Sequence, residues 1–136
     1  MSTVRLWDAA TGECLRRLTG HTGPVVAVAM GAVEDQPVVA TAGDDGTVRL
    51  WDAGTGECLS VLEARSGGVR DVYLGTADGR PIVVGGMDRA VRAWDARTAT
   101  PLVVIEGALD VNAVCAGPGA TIAFACPAGF AVIRGG

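Results

Sequence analysis

One histidine, four cysteines and fifteen carboxylates make up the reactive side chains of this 136-residue chain. Metal chemistry needs several soft or imidazole ligands at short, fixed spacings. Cys14, Cys58, Cys115 and Cys126 include no CxxC pair, and His21 stands alone, so no metal centre is expected. Cys14 and Cys58 fall at the same place in a repeated phrase and read as a small apolar side chain used twice, a buried structural thiol. Phosphate chemistry calls for a glycine-rich loop leading into a helix. Asp44-Asp45-Gly46 and Asp78-Gly79-Arg80-Pro81 read instead as turns. Net charge is −4, and all eleven basic residues are arginine. No basic field is present to hold a polyanion, so nucleic acid is not an expected partner. These residues point to no catalytic centre and no cofactor.

The elements that must position these groups are announced by repetition. TVRLWDAATGECL at residues 3–15 returns as TVRLWDAGTGECL at 47–59, with one change, Ala10 against Gly54. Trp-Asp occurs at Trp7-Asp8, Trp51-Asp52 and Trp94-Asp95, at spacings of 44 and 43 residues. A period in the low forties marks a repeat architecture. Within one unit, VVAVAM (25–30), PVVATAG (37–43), TVRLWDA (47–53) and CLSVLEA (58–64) are β-branched runs divided by AVEDQ, DDG and GTGE. Such runs between turn residues predict four antiparallel strands per unit and no helix of useful length. Residues 111–133 carry no charge, but Asn112, Pro118, Pro127 and three glycines interrupt them. They read as short buried strands, not a membrane span.

The pattern Gly20-His21, about thirty residues, then Trp51-Asp52, with GDDGTVRLWD between strands, resembles the WD-repeat β-propellers. The resemblance implies an all-β fold of four-stranded blades around a central channel. It also implies a hydrogen-bonded tetrad of His21, Thr41, Asp45 and Trp51, in which Asp45 sets the His21 tautomer and Trp51 is satisfied through the chain. The next unit, aligned on its Trp-Asp, keeps Asp88 and Trp94 as a partial tetrad. There Val84 replaces the hydroxyl, and Arg65 stands where the histidine would be. The last unit has Ala108 and Arg134 at the His and Trp places. A catalytic His-Asp-Thr reading would need an exposed nucleophile and oxyanion donors, and nothing in the sequence signals either. Partners in such proteins commonly dock on loops that here carry Thr22, Asp44, Arg65 and Met87.

The chain opens inside a unit. The expected division is a half-blade at 1–20, blades at 21–64 and 65–107, and a degenerate partial blade at 108–136. That is an incomplete ring in one chain, because propellers close with about four to eight blades. Either identical chains share a ring as a homo-oligomer, or the chain is the C-terminal piece of a longer propeller, which a start inside a repeat favours. The expected function is a cytoplasmic, non-catalytic scaffold for protein partners. The alternative is a regulatory propeller segment of a larger bacterial signalling protein, separated from its effector domain. A ligand site in the channel would rest on Arg70, Asp71 and Asn112, the few polar residues of the innermost strands.

Overall fold

The computed structural model describes residues 3–64, 68–77, 79–87, 89–106, 111, 113–117, 121–126 and 129–134. Every element among them is a strand. β1 (Thr3–Trp7) pairs with β2 (Cys14–Thr19) as a two-stranded sheet. β3 (Val25–Val33), β4 (Gln36–Gly43), β5 (Thr47–Asp52) and β6 (Cys58–Glu63) form a four-stranded sheet in that order. A second four-stranded sheet contains β7 (Val69–Ala77), β8 (Arg80–Met87), β9 (Ala90–Asp95) and β10 (Pro101–Glu106). β11 (Ala113–Gly117), β12 (Thr121–Cys126) and β13 (Gly129–Arg134) form a three-stranded sheet. All neighbours are antiparallel. The two complete sheets are blades of four antiparallel strands, as the repeat period implied, and stand in an open array with the two-stranded and three-stranded sheets.

The main core lies between the two complete sheets. Val38, Ala40, Val48 and Leu50 of the first pack with Val72, Leu74, Val83 and Met87 of the second. Burying these faces is what the Val-rich alternation of the sequence is for. β3 runs three residues beyond its expected end at Met30. Gly31, which follows that end, stays in the strand as a contact point: a Cβ there would sit 3.1 Å from Leu74 Cγ. The break AVEDQ shrinks to two turn residues, Glu34 and Asp35, both with positive φ (50° and 66°).

Each Trp-Asp step closes its strand in one way. Asp8 Oδ1 accepts the N–H groups of Ala10 and Thr11, and Asp52 Oδ1 those of Gly54 and Thr55. Asp95 Oδ1 accepts those of Arg97 and Thr98. The following residue then bends back to the aspartate carbonyl with positive φ: Gly12 (78°), Gly56 (81°) and, in the third copy, Ala99 (61°). An aspartate short enough to bridge its own turn holds the register shift that follows Leu6 and Leu50.

Candidate functional site

The structure brings His21, Thr41, Asp45 and Trp51 together at one end of the first four-stranded sheet. His21 precedes β3, Thr41 is on β4, Asp45 is in the β4–β5 turn and Trp51 is on β5. Trp51 Nε1–H donates to Thr41 Oγ1 at 2.9 Å. Thr41 Oγ1 lies 2.6 Å from His21 Nε2, and His21 Nδ1 lies 3.0 Å from Asp45 Oδ2. A carboxylate only accepts, so the His21 proton sits on Nδ1 and Nε2 accepts from the Thr41 hydroxyl. One continuous donor chain therefore runs from Trp51 to Asp45, and each of its buried polar groups is paired.

Asp45 is the hub. Its carboxylate also accepts the N–H of Thr22 at 2.9 Å, the N–H of Thr47 at 3.1 Å and the Thr47 hydroxyl at 2.8 Å. Burial pulls this carboxyl upward, but those hydrogen bonds, Thr47's first and His21's among them, outweigh it and hold it at about 2. One side chain thus ties the loop before β3 to the β4–β5 turn. Gly43 makes room for the arrangement: a Cβ there would stand 2.7 Å from His21 Nδ1 and 3.0 Å from Asp45 Oδ1.

This geometry is unsuited to nucleophilic catalysis. Thr41 is 0% exposed, its proton is committed to His21, and Trp51 caps its other side. A nucleophile must be reachable by substrate.

The second sheet departs from its sequence alignment by one residue. Thr41 faces Arg49 across β4–β5, and the residue facing Arg92 across β8–β9 is Gly85, not Val84. The turn before β9 has one residue fewer than the turn before β5, so an alignment anchored on Trp-Asp slips upstream of it. Val84 points to the other face and packs with Val91, Val111 and Val114. Met87 takes the place of Gly43, and its Cε and the Trp94 ring close over Gly85, at 3.3 and 3.4 Å from where a Cβ would be. An apolar plug therefore stands where the first sheet has its hydroxyl and imidazole.

The four loop residues expected to face a partner divide. Thr22 and Asp44 are exposed, and Asp44 borders an open cleft of about 410 Å³ lined also by Val26, Gly68 and Arg70. Met87 is not a docking residue: it ends β8 and is 0% exposed in the core. Arg65 and Asp88, with Ala108, Asn112 and the Arg134 side chain, lie outside the described residues. Of the channel candidates, Asp71 is spent on the fold, its Oδ2 accepting the Val114 N–H at 2.9 Å. Arg70 is exposed on the cleft. The register shift after Val69 turns it outward.

Two further expectations change. Cys14 and Cys58 are exposed, not buried. Each opens the outermost strand of its sheet, where no further strand covers it. Trp7 is 57% exposed, against 2% for Trp51 and 4% for Trp94, because no described strand pairs with the far edge of β1.

A family model described as "WD domain, G-beta repeat" matches residues 12–52 and 56–95. Over 44 residues the chain is 46% identical to the Periodic tryptophan protein 2 homolog of Dictyostelium discoideum. That match takes in 32% of this chain and only 5% of the relative's length. Among solved structures, the computationally designed Ika4 protein superposes with a TM-score of 0.79 at 28% identity, covering 98% of this chain and 80% of that one.

Proposed function

Because this chain belongs to the WD-repeat family, we propose that it is a non-catalytic scaffold that holds a protein partner on the loop face of its first complete sheet. The observation that carries this reading is the Asp45 hub. It locks the loop bearing Thr22 to the turn bearing Asp44, while both of those side chains remain in solvent. Exposed loop residues held rigid from beneath lose little freedom on binding, which is the usual way a scaffold gains affinity. The neighbouring cleft offers the Asp44 carboxylate beside an apolar wall from Val26. With the Arg70 side chain on the same cleft, that suits a peptide segment carrying an apolar residue and charges of both signs. Three exposed free thiols, Cys14, Cys58 and Cys115, suit a reducing compartment, and the cytoplasm is the proposed setting.

The test is site-specific photo-crosslinking in cells with a photoreactive residue at Thr22, at Asp44 or, as control, at Glu57 in the exposed turn before β6. A discrete crosslinked protein from Thr22 and Asp44, lost on Gly43→Ala and absent at Glu57, is the expected result. Crosslinks from Glu57 alone would place the partner on the outer edge and refute the loop-face reading.

A further inference from the structure

Two sheet faces of this molecule carry exposed side chains, one on β3 and one on β11. Along β3, Ala27, Ala29 and Val33 pack into the core beside Leu74, with Gly31 in direct contact range of it. On the opposite face of β3, Val28 is 58% exposed and Met30 63%. β7 repeats β3 in register, with the same shift after its first residue, so Val72 and Leu74 occupy the places of Val28 and Met30. There they are 5% and 6% exposed, because the small face of β3 covers them. One strand's bulky pair thus sits on the preceding strand's small side chains.

β11 is the third copy of this strand. Val114 is buried toward β7, and its N–H is held by Asp71. Ala113, Cys115 and Gly117 alternate on the other side of β11, and Ala113 and Cys115 are exposed. This is a small face of the kind β3 presents to β7. The chain therefore carries an uncovered bulky half on β3 and an uncovered small half on β11. Beside the bulky half lies the free edge of β1 with Trp7 exposed.

We propose that a second copy of this chain covers β3. Its β11 seats Ala113, Cys115 and Gly117 against Val28 and Met30, as β3 seats on β7, and its β12 pairs with the free edge of β1. The second copy's β13 and β1 answer to the same third-strand place. In the single chain β13 holds that edge of β12, so association requires β1, which carries the Thr-Val-Arg-Leu-Trp of β5, to replace it. Made in both directions, the contact lets two copies close on one another and leaves neither face open. It uses the side faces of the sheets, so it stands or falls apart from the loop-face reading.

The 136-residue chain is measured by light scattering across a concentration series, with tryptophan emission recorded in parallel. A species of twice 13.7 kDa is expected. Its formation brings a blue shift that Trp7→Phe removes without preventing association, since Trp51 and Trp94 are already buried. Met30→Asp and Cys115→Arg each weaken association by about a hundredfold or more, because each sets a charge in an apolar contact. Both positions are exposed in the single chain, so the monomer's unfolding transition is retained. An equimolar mixture of the two variants recovers the dimer, because one interface is then intact and the other opposes Asp to Arg. A chain that stays monomeric, a dimer indifferent to Met30→Asp, a mixture that stays monomeric, or association without the Trp7 shift would each overturn the proposal.

Discussion

Replacing Thr41 by Val keeps the side chain's volume and removes one oxygen. In this structure that oxygen accepts the Trp51 Nε1–H and donates to His21 Nε2. Both partners are buried, at 2% and 5% exposure, and among the described residues Thr41 is the partner of both nitrogens. Each polar group orphaned in a dry site costs about 1–3 kcal/mol, so the expected loss is about 3 kcal/mol with no cavity formed. Thr41→Ser keeps the hydroxyl and loses only a methyl group, about 1 kcal/mol. The predicted order of damage therefore runs against hydrophobicity, with the more apolar replacement the worse one. Urea unfolding followed by tryptophan fluorescence measures the free energies directly. In a thermal scan the Val variant is expected about 10 °C or more below the parent. Combining Thr41→Val with His21→Leu should restore at least about 1 kcal/mol relative to the sum of the single changes, as expected for groups in one network. A Thr41→Val protein within about 0.5 kcal/mol of the parent, below what surface substitutions produce, would show that the donor chain does not hold this sheet.

Asp45, at about 2 when folded against an ordinary 3.8, is depressed, so its contribution is complete above about pH 4 and drains away as pH falls through 2. That difference corresponds to about 2 kcal/mol, and denaturant titrations at pH 5, 3 and 2 should show it in the parent but not in Asp45→Asn. Gly43→Ala forces a Cβ to 2.7 Å from His21 Nδ1 and should destabilise by about 2 kcal/mol or more, measured by the same unfolding assay. Asp35→Gly relieves a left-handed backbone at a two-residue hairpin turn and should stabilise by about 1 kcal/mol; no gain in midpoint would count against the turn geometry. Ala99→Gly makes the third Trp-Asp turn match the first two, and a gain of about 0.5 kcal/mol is expected because the lost methyl contact offsets part of the relief.

Much of this molecule is local and was legible in its sequence. The period of the Trp-Asp steps, the strand runs and the turn chemistry of Asp8, Asp52 and Asp95 depend on a few neighbouring residues, and short-range sterics and hydrogen bonding decide them. The family pattern supplied His21, Thr41, Asp45 and Trp51, whose contacts the structure then places within 3.2 Å of one another along the chain of donors. What tertiary structure alone decided concerns which strand lies next to which. Gly85 rather than Val84 stands opposite Arg92, because one residue is missing from a turn and strand pairing absorbs the slip. Met87 is in the core rather than on a loop, because the second sheet has no imidazole to occupy that space. Cys14 and Cys58 are exposed although their repetition suggests a buried thiol, and Trp7 is exposed although its counterpart Trp51 is packed, since burial belongs to the neighbour that covers a residue and not to the residue. The same Val-x-bulky face of a first strand is dry on β7 and wet on β3 for that reason, and no reading of either strand by itself separates them.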